Sequence, residues 1–304
     1  MKVLDKFIND LKVGEALNFN QLIIKPIFVS TDYKLPFLTL EEALQSEVLE
    51  ITEVDESGSV PELLVKNKGA LDVIVLEGEE LRGAKQNRIV NTTIIIPAGS
   101  EILLPVSCVE QGRWRHNSAR FSSGENVISP SLRSFGHKSV TRSLRQHRSY
   151  DSDQTGIWGS IRDKFTRMSE VSETDAMSDL LDTSITPEAE QTLMEEIQYQ
   201  EKQIGFLAYI GGGFAGGDVF GSTELCEKQM RKLMRGYYLD ALDIGINFPD
   251  INAEEILKQI AAASHEQFAA IGKGTEMRFE TERIQGAWKL VDESVSHLTV
   301  FPRG

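Results

Sequence analysis

The chain of 304 residues has only two cysteines, Cys108 and Cys226, and they form no CxxC pair. Two are too few for a disulfide framework and give a cysteine-based zinc site nothing to build on. The sequence therefore reads as that of a protein from a reducing compartment, with the cytoplasm as the expected location. Long apolar runs are lacking as well. No window approaches the roughly 18 residues that a membrane helix needs, and the opening stretch mixes Lys2, Asp5, Lys6 and Asp10 with apolar residues, unlike a signal peptide. Basic charge is scarce overall: the formal net charge is -14, which argues against general coating of nucleic acid. The five histidines show no HExxH or other paired ligand spacing, so metal and cofactor stay unassigned. The stretch Gly211 to Gly217 contains no GxxxxGKS/T and no GxGxxG set in a βαβ unit, so it reads as a glycine-rich hairpin.

What is present is a chain of short β-forming runs. Between about residues 15 and 115 these alternate with turn material such as Asp55 to Gly58 and Pro97 to Gly99, the pattern of an antiparallel sandwich or curled sheet. From about 152 to 270, apolar residues recur at helical spacing, as in Ile157, Trp158, Ile161 and Phe165, and again over Thr223 to Leu242 behind the capping residue Ser222. Strand character returns over 275–301. The expected fold is α+β: an antiparallel, β-rich N-terminal sheet or sandwich rejoined by C-terminal strands, with a helical C-terminal half. The segment 117–150 is rich in Ser, Arg and Gly and poor in periodic apolar positions, so it reads as a long mobile loop. It is also basic. From Arg113 to Arg148, eight cations face the single acid Glu125, the composition of an element that docks an acidic or phosphorylated protein partner or pairs with the chain's own acidic helices.

Two polar segments directly follow β runs. Glu77 to Arg88 packs three carboxylates, three cations and two amides into twelve residues. Its functional reading makes Glu79 an acid or base, Lys85 and Arg88 an anion clamp, and Gln86 and Asn87 orienting groups; the plain reading is a solvated hairpin with weak surface ion pairs. In the second segment, Ser107 to Arg115, Glu110 is a candidate acid or base because a carboxylate at a sheet end is partly desolvated. Cys108 is a candidate nucleophile if Arg113 or His116 lowers its pKa, although a cysteine at a strand end is more often a small core residue. Arg113 suits a phosphate, Trp114 suits stacking, and Gln111, just before them, is a further candidate ligand contact. Asp153 reads first as the N-terminus of a helix and second as a ligand contact.

The strings Leu76-Glu77-Gly78-Glu79-Glu80-Leu81-Arg82-Gly83-Ala84-Lys85-Gln86-Asn87-Arg88 and Val106-Ser107-Cys108-Val109-Glu110-Gln111-Gly112-Arg113-Trp114 resemble the domain family named for its association with ADP-ribosylglycohydrolases and rhodanese-phosphatases. Ser152-Asp153-Gln154, the stretch Gly205 to Phe220, Tyr238 to Leu242 and Ser296-His297-Leu298 look like further blocks of it, so 1–304 is read as one family-wide unit. The resemblance implies a context of NAD and ADP-ribose metabolism and carries no mechanism with it. The combined expectation is an enzyme acting on a nucleotide-derived, phosphate-containing small molecule. The rival is a non-catalytic module that binds a ligand or a protein through the basic segment.

Overall fold

A computed structural model describes residues 2–30, 34–55, 61–113, 118 and 120–303. Contacts divide the chain, read above as one unit, into two compact units: a terminal unit of Met1–Leu35, Ile185–Ala269 and Gly274–Gly304, and a central unit of Pro36–Ser184 and Ala270–Lys273. The architecture is α+β, with antiparallel sheets and the helices gathered toward the C-terminal half, as expected. Among the described residues no helix is long and apolar enough to cross a membrane.

The terminal unit begins with α1 (Lys2–Asp10), β1 (Leu11–Val13), β2 (Leu17–Phe19) and β3 (Leu22–Val29). The central unit follows with β4 (Leu38–Thr39), α2 (Leu40–Gln45), β5 (Leu49–Glu53), β6 (Glu62–Asn67), β7 (Val73–Val75), β8 (Glu79–Gly83), β9 (Arg88–Val90), β10 (Ile94–Ile96), β11 (Glu101–Cys108), β12 (Phe121–Val127), α3 (Pro130–His147), α4 (Gln154–Met168) and α5 (Met177–Ser184). The terminal unit resumes with α6 (Pro187–Glu196), β13 (Gln203–Ile210), β14 (Gly213–Phe220), α7 (Thr223–Leu242), α8 (Ala253–Ala262), β15 (His265–Ala269), β16 (Thr275–Glu280), β17 (Ile284–Val291) and β18 (Ser294–Pro302).

The terminal unit is built on an antiparallel sheet in the order β1-β3-β13-β14-β18-β17-β16-β15, with β2 paired to β3. One face is apolar, where Leu4 and Phe7 of α1 and Ile256 and Ile260 of α8 meet Val219, Trp288, Leu298 and Val300. α7 packs against β13 and β14, with Tyr237 set edge-on to Phe206. The hairpin between these strands turns at Gly211 and Gly212, whose φ values of +57° and +87° are those of a tight turn that side chains resist. α7 starts where the sequence places it, because Ser222 Oγ accepts from the Leu225 N–H at 3.2 Å.

The central unit holds a six-stranded antiparallel sheet, β12-β8-β9-β11-β6-β5, and a three-stranded one, β10-β7-β4, in which β4 and β7 run parallel. Its core gathers Leu63, Val65, Val75, Leu81, Val90, Ile94, Leu104 and Val106. Thr39 and Glu42 form a reciprocal capping box at the start of α2.

One expectation changes. The segment read as a mobile loop over 117–150 contains the strand β12 and the eighteen-residue helix α3. Its ordering went unseen because the buried face of α3 is half polar: Leu132, Val140 and Leu144 alternate with Arg133, His137 and Thr141. The glycine-rich hairpin expected within the otherwise helical part over 152–270 forms as β13–β14 and is buried. The C-terminal strands rejoin the N-terminal strands as expected, β18 pairing with β14 in the sheet that carries β1 and β3.

Candidate functional site

Both polar segments of the sequence lie in the central unit and meet there. β8 and β9 form a hairpin whose turn passes through Gly83 and Ala84, with φ of +130° and +42°, and β9 pairs with the end of β11 so that Arg88 stands opposite Cys108. The chain leaving β11 bends back over the turn. Gly112 is required at that bend: its N–H donates to Thr174 O at 2.9 Å, and a Cβ there would lie 2.7 Å from Thr174 Cα.

Glu110 and Arg113 fix the bend to the turn. Arg113 donates from Nε to Glu110 Oε1 at 2.8 Å and from Nη2 to Oε2 at 2.6 Å, a two-pronged ion pair with both side chains buried. The same guanidinium donates to Ala84 O at 2.9 Å and to Asn87 Oδ1 at 3.1 Å. Glu110 also accepts from the Asn87 N–H at 3.0 Å and from Thr174 Oγ1 at 3.3 Å, so its two oxygens take four hydrogen bonds. Gln86 donates to Glu110 O at 2.8 Å, and Asn87 Nδ2 donates to Ser178 Oγ at 3.3 Å.

Arg88 is fully enclosed. Its Nη1 donates to Gln86 Oε1 at 2.9 Å and to Cys108 Sγ, and its Nη2 lies 3.9 Å from Glu53 Oε1. Burial pushes the Cys108 thiol up to about 11 despite the Arg88 charge, so at neutral pH it is a thiol and a poor nucleophile. Gln154, at the start of α4, clamps the Cys108 backbone: it accepts from the Cys108 N–H at 2.7 Å and donates to Cys108 O at 2.8 Å.

The remaining carboxylates of the hairpin have different surroundings. Glu77 lies 3.1 Å from His137 Nδ1 of α3, both buried. Gly78, φ +82°, passes so close to Arg133 of α3 that a Cβ would come within 2.8 Å of its Cγ. Glu79 Oε2 accepts from the Leu76 N–H at 3.0 Å. Glu80 Oε2 accepts from Arg82 Nε at 2.9 Å and from Asn126 Nδ2 at 3.5 Å, and burial raises its pKa above the ordinary carboxylate value.

The structure thus brings Cys108, Glu110, Arg113, Gln86, Asn87 and Arg88 into one buried network, with Glu79 and Lys85 on the same hairpin. Gln111 and Asp153 stand outside it. Gln111 Oε1 accepts from Arg162 at an exposed position, and Asp153 caps α4 by accepting from the Gly156 N–H at 3.0 Å. Trp114 and His116 lie outside the described residues. The sequence singled out neither Glu80 nor His137: the first stands beside an identical residue, and the second fell within the segment read as a loop. Among the described residues no group of three or more His, Cys, Asp or Glu is arranged to hold a metal ion. No curated protein and no solved structure matches the chain. Residues 10–301 match the ARG and Rhodanese-Phosphatase-superfamily-associated Protein domain, and the chain belongs to that family.

Proposed function

We infer that the central unit carries the site of an enzyme acting on a nucleotide-derived, ADP-ribose-like small molecule in NAD-linked metabolism. The observation that supports this is how many ionisable side chains are buried in one hairpin and its neighbours: Glu77, Glu79, Glu80, Arg88, Glu110, Arg113 and His137. Removing water from each costs several kcal/mol, and apolar replacements of such pairs are commonly neutral or stabilising. Stability alone therefore does not call for them, and groups of this kind concentrate at catalytic sites. The family's association with enzymes of ADP-ribose chemistry supplies the substrate class.

In this reading Glu110, Arg113, Gln86, Asn87 and Arg88 are the frame that holds the bend and the turn in place. Lys85, at the turn, is the cation that meets a phosphate. The test is a thermal-shift panel of ADP-ribose, NAD and mononucleotides on the wild type and on Lys85→Ala. A ligand at 100 times its Kd stabilises by about 2.7 kcal/mol, and Lys85→Ala is expected to remove that gain. A flat wild-type panel would overturn the reading.

A second reading, a module that docks a protein, is favoured by a separate observation. On α3, the ordered form of the basic segment, Lys138, Arg142, Arg145 and Arg148 are exposed, a cationic face in an acidic chain. It calls for an acidic or phosphorylated partner whose capture weakens with salt and is lost in Arg142→Glu/Arg145→Glu, while the ligand panel is unchanged.

A further inference from the structure

Among the carboxylates on the hairpin segment, Glu80 is set apart by an oxygen that no group among the described residues holds. Its side chain is 2% exposed, and Oε1 is buried without a hydrogen-bond partner among the described residues. Arg82 beside it is in the same condition: Nε donates to Glu80 Oε2 and Nη1 reaches Asp182 Oδ2 at 3.4 Å, but Nη2 is buried and unpartnered. Nε and Nη2 form one edge of a guanidinium, which a carboxylate ordinarily grips with both oxygens. Here only half of that edge is used, and a donor and a carboxyl oxygen are left over together. Leaving such groups unsatisfied is costly, because each has lost its water without gaining a partner.

The backbone is built around this side chain. β8 and β12 pair as Ser123↔Leu81 and then as Val127↔Glu79, so Gly124, Glu125 and Asn126 bulge opposite the single residue Glu80. Gly124 supplies the room: a Cβ on it would stand 2.6 Å from Glu80 Oε2 and 2.8 Å from its Cβ. The Arg82 side chain is 31% exposed and that of its second partner, Asp182, 51% exposed. Arg82 can keep its bond to Asp182 while releasing Glu80. Burial, the leading cause, raises the Glu80 pKa, and the charge and hydrogen bond of Arg82 offset only part of that. The other candidates are committed elsewhere, Glu110 to four donors, Glu77 to His137 and Glu79 to the Leu76 N–H.

We propose that Glu80 is the proton donor of the central-unit site, acting through Oε1, with Arg82 as the side chain that covers and uncovers it. This rests on the reading of the site as one for ADP-ribose-like substrates. For a C–O bond in such a substrate the step is a hydrolysis. Water adds to the carbon, and the bond to the leaving oxygen breaks with its electron pair. That oxygen takes the proton of Glu80, and the proton lost by the water returns to the carboxylate through solvent.

The experiment compares two probes, ADP-ribose joined through oxygen to methyl and to 4-nitrophenyl, on the wild type and on Glu80→Gln, which keeps the volume and an acceptor for Arg82. Methoxide leaves only with a proton and nitrophenolate leaves without one. The variant is expected to lose about 10²–10⁴-fold on the methyl probe, the range of general acid catalysis, and little on the nitrophenyl probe. Equal losses on both would overturn the proposal. The infrared difference spectrum between wild type and variant, taken without substrate at pH 7, is expected to show the carbonyl band of a protonated carboxyl; its absence would overturn the proposal as well. Failure of the substrate reading has its own signature, a wild type that turns over neither probe, and the catalytic role then falls whether or not the band is present.

Discussion

Each unit buries a histidine against a carboxylate, and the two arrangements differ in what holds them. In the terminal unit, His297 Nε2 lies 3.2 Å from Asp218 Oδ1, the two residues standing on the paired strands β18 and β14. Asp218 also accepts from Tyr237 OH at 3.1 Å, and the imidazole stacks on Phe220 at 4.8 Å. Further along the same sheet, Glu276 takes Arg278 of its own strand at 2.9 Å and Lys289 of the neighbouring strand at 2.6 Å. In the central unit, His137 comes from a helix and Glu77 from the turn between β7 and β8. Strand register fixes the first set, because moving one residue breaks a ladder of backbone bonds. Turns and a helix carry the second, and they are the kind of element that yields to a ligand. Buried charge alone does not separate scaffold from site.

The sharpest test removes the shared acid of each set. Glu276→Ala leaves two buried cations without their carboxylate and is expected to cost about 3–5 kcal/mol, read by denaturant unfolding. Glu110→Ala, which strands Arg113, is expected to cost a similar amount, and this is why neither Arg113 nor Glu110 is a clean probe of ligand binding. A loss below about 1 kcal/mol at Glu276 would mean that the sheet relaxes as freely as a turn, and the comparison would collapse.

Smaller effects refine it. Asp218→Asn disturbs two hydrogen-bonded partners and is expected to lower stability by about 1–3 kcal/mol, more than Glu77→Gln, which disturbs His137 on a movable element. Thermal melts of the two variants side by side decide the order. Gly212→Ala at φ +87° is expected to cost about 1–2 kcal/mol through the left-handed backbone alone, with the sheet otherwise intact by circular dichroism.

The smallest expected effect is a pH dependence in the terminal unit. His265 accepts from Trp288 Nε1 at Nδ1, 3.1 Å, and donates from Nε2 to Ile260 O, 3.1 Å, so both ring nitrogens are committed to the neutral form. Burial lowers its pKa, the Ile260 carbonyl raising it only in part. The unfolded chain then binds the proton more readily than the folded one. The contribution of His265 is present above the ordinary histidine value of about 6.5 and is lost as pH falls through the folded pKa. Melting temperatures from pH 7.5 to 5 should fall more steeply for the wild type than for His265→Gln, and parallel curves would remove His265 from the account.

Much of the fold was legible in the sequence where local signals agreed. α7 follows from a serine cap and an amphipathic run, and the hairpin β13–β14 from two glycines between apolar strands. α3 was hidden because a helix can bury arginine, histidine and threonine when partners wait for them, and apolar spacing does not count those residues. The site segments were legible as polar strings behind strands, yet composition could not separate Glu79 from Glu80. Both are buried, and their difference arises from a bulge in β12, distant in sequence, that stands opposite Glu80 and leaves Glu79 in register with Val127. The division into units was equally remote from local pattern, since the terminal unit is assembled from three separate stretches of chain.

The two cysteines are distributed one to each unit, Cys108 central and Cys226 terminal, both buried and both raised in pKa by that burial. Neither thiol can meet a reagent until its own surroundings open, so each is a native reporter of local unfolding. Labelling kinetics in the wild type, with no engineered probe, would time the breathing of the two halves separately and show which one a ligand quiets.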